Sequence, residues 1–159
     1  MSADNQQERL EALWIVGFVD GEGCFEVSIN KHKKMTLGWQ VLPEFRIVQH
    51  EKDIQLLLKI KEYFGFGNVV KNHGNRKEFR VRGYKNLKEI INFFDKYELK
   101  TLKKDDFKLF CEIIKLMEDK QHLNKKGLIK ISQLASKMNR KVDRVSRILR
   151  DYTSDTQKV

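Results

Sequence analysis

Ile15-Val16-Gly17-Phe18-Val19-Asp20-Gly21-Glu22-Gly23 is the stretch on which the reading of this chain turns. Just upstream, Leu10, Leu13 and Trp14 share a helical face with Gly17, while Ile15, Val16, Phe18 and Val19 make the other faces apolar as well. A helix apolar nearly all round is buried nearly all round, so it has to pack against more than one surface. Asn5 and Glu8 have the spacing of a capping box, which predicts a helix from about Gln6 to Asp20, stopped by Gly21 and Gly23. That helix runs into two acids separated by one glycine. The C-terminus of a helix carries partial negative charge, so acids there are unfavourable unless a cation compensates. A hard divalent ion with oxygen ligands would do so, and the glycines would let backbone carbonyls, that of Gly21 among them, join the coordination. The plain alternative is an ordinary Asp-Gly turn. The apolar helix before it and the half-polar strand after it weigh against that alternative.

Downstream, Phe25, Val27 and Ile29 alternate with Cys24, Glu26, Ser28 and Asn30, the pattern of a strand with one apolar and one polar face. A basic turn at Lys31 to Lys34 precedes a second strand, Trp39 to Val48, in which Pro43 predicts a bulge or an unpaired edge. Asp53 to Phe64 has helical spacing and ends at Gly65 and Gly67. Residues 68–71 and 78–82 form a second hairpin around His73-Gly74-Asn75-Arg76. Leu87 to Phe94 and Lys103 to Met117 are further helices, and Leu128 to Met138 and Val142 to Leu149 are short ones. The predicted order is α-β-β-α-β-β-α with additional C-terminal helices, an α+β fold. No linker or second domain interrupts it. The 159 residues suit a single domain, with a core over about 6–118 and a basic helical region over about 119–159.

Lys and Arg exceed Asp and Glu by 32 to 22, a net charge of +10 that points to a polyanion, most often nucleic acid. Residues 120–159 hold eleven Lys or Arg against three Asp, a tail suited either to phosphates or to plain solvation. Cys24 and Cys111 form no CxxC pair and read as buried, reduced thiols of an intracellular protein. No apolar run approaches the ~18 residues of a membrane span, so no membrane partner is expected. The polar N-terminus lacks the apolar core of a secretory signal. An organelle and a prokaryotic or phage cytoplasm stay equally open.

The stretch Ile15 to Gly23 resembles, position by position, the signature of the LAGLIDADG homing endonucleases. The resemblance extends along nearly the whole chain. Phe45-Arg46-Ile47-Val48-Gln49 is similar to the family's F-x-I-x-Q segment, and Phe64-Gly65-Phe66-Gly67 to its FG-x-G turn. Leu99-Lys100-Thr101 with Lys103 and Asp106-Phe107 resembles a third block, and Gly127-Leu128-Ile129 through Met138-Asn139 the closing helix. The resemblance implies a curved antiparallel β-sheet, a saddle that sits in the DNA major groove. It also implies a signature helix packed on its twin at a two-fold axis through Leu13, Trp14, Gly17 and Phe18. One copy of the motif is present, and one-motif members are homodimers, which implies a nearly palindromic target.

The implied activity is site-specific cleavage of double-stranded DNA with Mg²⁺, with Mn²⁺ able to substitute, in the service of intron mobility. Glu22 takes the metal-binding position, with the Gly21 carbonyl as a further ligand. Asp20 either aids the metal site or holds the helix end. Gln49 would position a water or a metal hydrate, and Lys103 would stand near the scissile phosphate. One departure is visible: a basic residue that follows the glutamine in some members aligns with Asp53, leaving Lys52 as the nearest substitute. Base and phosphate contacts are expected from the polar strand faces and the turns beside them: Glu26, Ser28, Asn30 and His32; Gln40 and Arg46; Asn72, Arg76, Lys77, Glu78, Arg80 and Arg82. Two alternatives carry the same basic saddle: an RNA maturase acting on intron RNA, and a DNA-binding protein that has lost catalysis. The paired acids favour the nuclease, since folding RNA needs no such pair.

Overall fold

The computed structural model describes residues 10–139 and 148–150. Among them the order is α1 (Ala12–Glu22), β1 (Gly23–Lys31), β2 (Trp39–His50), α2 (Ile54–Phe64), β3 (Asn68–Lys71), β4 (Arg76–Val81), α3 (Tyr84–Lys96), α4 (Lys103–Glu118) and α5 (Lys125–Ser136). Short 3-10 turns cover Glu51–Asp53 and Gln121–Leu123. The predicted αββαββα order with C-terminal helices is therefore present, and the four strands form one sheet in the order β1-β2-β4-β3. The chain divides into two compact units, Met1–Cys24 with Phe45–Thr101, and Phe25–Glu44 with Leu102–Val159.

In the first unit, α1 starts and ends later than its periodicity predicted. Glu11 is the extended residue before the helix (φ −93, ψ 151), and its carbonyl accepts from the Ile15 N–H at 3.1 Å. The expected capping pair, Asn5 and Glu8, lies outside the described residues. At the other end Gly21 is helical, and the helix continues through Glu22. Only Gly23 ends it, with ordinary extended angles (φ −77) and its N–H donating to the Val19 carbonyl. What Gly23 supplies is space: a Cβ there would stand 2.6 Å from Val19 Cγ1.

Strand β4 pairs antiparallel with β2 and with β3, placing Phe45 opposite Val81, Ile47 opposite Phe79 and Val69 opposite Phe79. Two-residue alternation sorts this part of the sheet. Phe45, Ile47, Phe79 and Val81 are fully buried on one face, and Arg46, Val48, His50, Arg76, Glu78 and Arg80 lie on the other. Helix α2 lies against β3 and β4. The buried set is completed by Leu57 and Ile60 of α2 and Leu87, Ile90 and Phe94 of α3. An aromatic cluster knits the elements: Phe64 stacks on Phe79 at 6.1 Å, Phe93 meets Phe64 edge-on at 5.1 Å, and Phe94 leans on Phe45 at 5.8 Å. Such pairs add about 0.5–1.5 kcal/mol each beyond area burial.

Two glycines make the turn from α2 into β3. Gly65 closes the helix in the left-handed conformation (φ +77), and its N–H reaches the Lys61 carbonyl. Gly67 is left-handed too (φ +88), and a Cβ there would stand 2.5 Å from Phe79 Cε2. Backbone strain and a collision with a buried ring should add, so Gly67→Ala is expected to destabilise the protein by roughly 2–4 kcal/mol. Thermal unfolding checks this, and a melting point unchanged within a degree would contradict the packing.

In the second unit, Phe25, Val27 and Ile29 of β1 are buried and Glu26 and Ser28 are half-buried, as the alternation predicted. Phe25 packs on Phe107 and Phe110 of α4, with ring centroids 5.3 and 5.4 Å apart. Asn124 caps α5 by accepting the Gly127 N–H at 2.8 Å. Gly127 is close-packed, because a Cβ there would collide with the Gln121 carbonyl. Asn139, at φ 51, donates its N–H to Asp106 at 3.1 Å and its side-chain amide to the Phe25 carbonyl at 2.9 Å. Asp106 and Asn139, from two separate blocks of the family resemblance, are thus one contact. Of the predicted final helix, Val142 to Leu149, only residues 148 and 149 are described, and they are helical.

One local expectation is met and another needs correction. Pro43 lies where β2 presents an unpaired edge toward β4, and residues 39, 41, 43, 45 and 47 keep one phase of burial around it. The β4 ladder begins only at Phe45, so the missing proline N–H costs that ladder no bond. Cys24 and Cys111, expected to be buried, are only half-buried. No helix among the described residues is long and apolar enough to cross a membrane.

Candidate active site

Asp20 and Glu22 are two residues apart on a helix, so their side chains leave it about 200° apart and face different surroundings. Asp20 faces the segment before α4. Its Oδ2 accepts from the Lys100 N–H at 2.8 Å, and its Oδ1 accepts from the Thr101 N–H at 3.1 Å and the Thr101 hydroxyl at 2.7 Å. Both carboxylate oxygens are engaged in holding the helix end to this segment. Of the two roles left open by the sequence, the geometry supports the structural one. Asp20→Asn places an amide where only acceptors fit, and it is expected to cost roughly 1.5–3 kcal/mol of stability. Acids that merely repel one another would give the opposite sign in a thermal melt.

Glu22 is exposed, and its nearest side-chain partner is Gln49, whose Nε2 donates to Glu22 Oε2 at 3.4 Å. Gln49 shares the sheet face of the buried Phe45 and Ile47, which is why it turns toward the end of α1. Glu22, Val48, Gln49, His50 and Arg76 line one open cavity of about 350 Å³. His50 and Arg76 are register partners across β2 and β4. They are tied further by the Asn75 amide beside His50 Nε2 at 3.2 Å and by the Glu51 N–H on the Asn75 carbonyl at 2.7 Å. Arg76 thus brings a permanent cation to the cavity of Glu22. Lys52 and Asp53 are exposed in the 3-10 turn and do not line it.

The other side of α1 is apolar and uncovered. Leu13 is 73% exposed and Trp14 44% exposed, Trp14 stacks flat on Phe18 at 5.0 Å, and Gly17 and Gly21 continue the same stripe in open space. Ile15, Val16 and Val19 fill the core instead. Among the described residues, an all-round apolar helix is thus buried on one side only.

Residues 15–114 match the family model described as LAGLIDADG endonuclease. The chain belongs to the LAGLIDADG endonuclease family. It is 38% identical over 118 residues to an uncharacterized 50.9 kDa protein in ND4 intron 1 of Podospora anserina, covering 73% of this chain and 26% of that protein. It is 30% identical over 115 residues to the DNA endonuclease I-CvuI of Chlorella vulgaris, covering 72% of this chain and 70% of that one. Among solved structures, the homing endonuclease I-TnaI superposes with a TM-score of 0.85 at 50% identity, over 89% of this chain and 97% of that chain. I-SmaMI bound to cleaved DNA superposes at 0.83 with 33% identity, over 91% of this chain and 48% of that one. The chain spans about a quarter of the length of the first curated relatives it matches.

Within this LAGLIDADG chain the expected DNA-facing residues separate. Arg46, Arg76, Glu78 and Arg80 do share one face of β2 and β4, with Asn72 joined to it by a hydrogen bond from its Nδ2 to Glu78 at 2.6 Å. Lys77 sits opposite Gln49 on the other face, because a strand alternates. Glu78 is buried. Arg82 follows β4 and is exposed. Glu26, Ser28 and Asn30 lie along the polar side of β1, with Ser28 Oγ donating to Glu26 at 3.4 Å. His32 begins the loop after β1, where its Nδ1 accepts the Lys34 N–H. Gln40 lines a second cavity, of about 210 Å³, beside Trp39 and Val41. Lys103 opens α4 in the second unit. Reasoning from sequence missed His50, although its position one residue after Gln49 already placed it on the polar face.

Proposed function

We propose that this chain is a site-specific double-strand DNA endonuclease that works as a homodimer with divalent metal ions. The observation that carries the reading is an exposed carboxylate, Glu22, at the end of a helix whose neighbouring apolar stripe is uncovered. Pairing two such stripes would bury Leu13, Trp14 and Phe18, allow backbones to approach at Gly17 and Gly21, and bring two Glu22 carboxylates to the pair's axis. The halved coverage of the I-SmaMI chain supports the same arrangement, with two copies of this chain doing the work of one longer chain. Both compact units then serve one nuclease domain of 159 residues.

The donor set suits a hard cation. Among the described residues no three His, Cys, Asp or Glu side chains converge. One copy offers the Glu22 carboxylate, together with the carbonyls of the last turn, which lack helical partners. Oxygen donors of this kind fit Mg²⁺, with Mn²⁺ able to substitute, once a second carboxylate and phosphate oxygens complete the shell. Glu22 and the Gly21 carbonyl would hold the ion. When bound, it would polarise the phosphate and promote ionisation of a water. Glu22 supplies the fixed negative charge that localises cations. Gln49, whose amide already touches Glu22, orients a water at the cavity. Arg76 contributes charge beside the reacting phosphate, the role for which Lys52 is the nearest substitute in sequence, and Lys103 offers a cation to the DNA backbone from its own unit. Arg46, Arg80, Arg82 and the polar residues of β1 face the duplex, where arginine suits guanine and amides suit adenine.

Incubating the protein with a randomised library of long duplexes tests the reading. Mg²⁺-dependent double-strand breaks at a nearly palindromic sequence, abolished by EDTA, are expected. Tight, specific binding without breaks would instead make the chain a DNA-binding protein of this fold. Splicing of a host intron that survives loss of cleavage would add the maturase role.

A further inference from the structure

Glu78 is an anomaly on a face proposed to meet a polyanion. It is a carboxylate on the polar side of the sheet, yet its side chain is only 5% exposed. Its cross-strand neighbours are Val48 on one side and Val70 on the other, so apolar walls flank it. Two residues along the ladder, on the same face, Arg46 stands directly opposite Arg80. Two like charges facing each other across a ladder repel. Glu78 resolves this: Arg80 Nη1 lies 3.3 Å from its Oε1 and Arg46 Nη1 3.8 Å from its Oε2, and Asn72 donates to Oε2 at 2.6 Å. A buried carboxylate is tolerated only when paired and hydrogen-bonded, and here it has both kinds of partner. The two arginine side chains are 28% and 30% exposed against 5% for Glu78, so they keep surface for a ligand while the acid does not.

We propose that Glu78 is a positioning residue that fixes Arg46, Arg80 and Asn72 as one unit for reading bases. The proposal rests on the reading of the chain as a DNA-binding endonuclease. Glu78 itself touches no base. It holds the guanidinium planes, and an arginine held in place loses less freedom on binding than a mobile one. Discrimination between bases then depends on a residue that never reaches the duplex. Non-specific attraction does not, because the acid only subtracts from the positive charge of the face.

The test uses the full-length protein and the duplex it selects from the library. Binding is measured on that duplex and on every single-base-pair variant, for wild type, Glu78→Gln, Arg80→Ala and the double variant. Glu78→Gln keeps the shape and the acceptor for Asn72 while removing the charge. It should lose about ten-fold discrimination at one or two base pairs, the scale of a good arginine–guanine contact. Affinity for unrelated DNA should hold or rise, with a steeper salt dependence. At the base pair whose discrimination Arg80→Ala removes, the same change made in the Arg80→Ala background should alter discrimination by less than about two-fold. A uniform loss of affinity across all duplexes, or a lowered melting point with discrimination intact, would make Glu78 a structural residue only and overturn the proposal. A wild-type protein that selects no duplex would instead defeat the endonuclease reading beneath it.

Discussion

Glu22→Gln is expected to lose cleavage by about a thousand-fold or more, roughly 4 kcal/mol of transition-state stabilisation, while target binding stays within a few-fold. Glu22 is exposed, and Gln49 is its only side-chain hydrogen-bond partner among those described. Glutamine keeps the length and can still meet Gln49, so the fold has no reason to change. What disappears is the charge that gathers cations at the end of α1, where the helix itself already disfavours a carboxylate. Stability should accordingly hold or rise slightly. Single-turnover cleavage and equilibrium binding on the same duplex separate the two effects. Equal losses in both would make Glu22 a DNA contact, and retained cleavage would place the reaction elsewhere in the molecule.

The second large effect is expected from Gly17→Leu. Among the described residues a Cβ at Gly17 meets nothing within 4 Å, so the isolated fold should accept the side chain. It should even gain, because glycine inside a helix costs about 1 kcal/mol relative to better helix formers. In a dimer packed along Leu13, Trp14, Gly17 and Phe18, the same side chain stands between two backbones that have to approach closely. Association should weaken by a hundred-fold or more, about 2.7 kcal/mol, and double-strand cleavage should fall with it. Sedimentation gives the oligomeric state and a thermal melt reports the fold of the subunit. A variant that stays dimeric would move the interface off this stripe. A variant that fails to fold would show that Gly17 serves the chain's own core.

Periodicity carries far in this molecule because most of its elements have one wet and one dry side. The alternation in β1, the phase of β2 from Trp39 to Ile47 and the helical spacing of α2 each follow from which side chains avoid water. The edges of α1 were misplaced for a local reason. Gly21 looks like a stop, but a glycine ends a helix only when the chain needs a turn or a close approach, and that need falls on Gly23. The polar strand faces were legible only as sets. Lys77 and Arg76 are neighbours in sequence with the same charge, and which of the two faces each one takes is decided by the register of β4 against β2.

The amino-acid sequence by itself determined the order of elements, the family and the position of the acids at the end of an apolar helix. Each is written in short-range patterns of hydrophobicity and residue type. Only the tertiary structure separated Asp20, spent on Lys100 and Thr101 some eighty residues away, from Glu22, left open beside Gln49. It alone buried Glu78 between two arginines and brought Arg76 to the cavity of Glu22. The physical reason is common to all three. The state of a charged group is set by what surrounds it in space, and those surroundings are assembled by contacts between residues far apart in the chain.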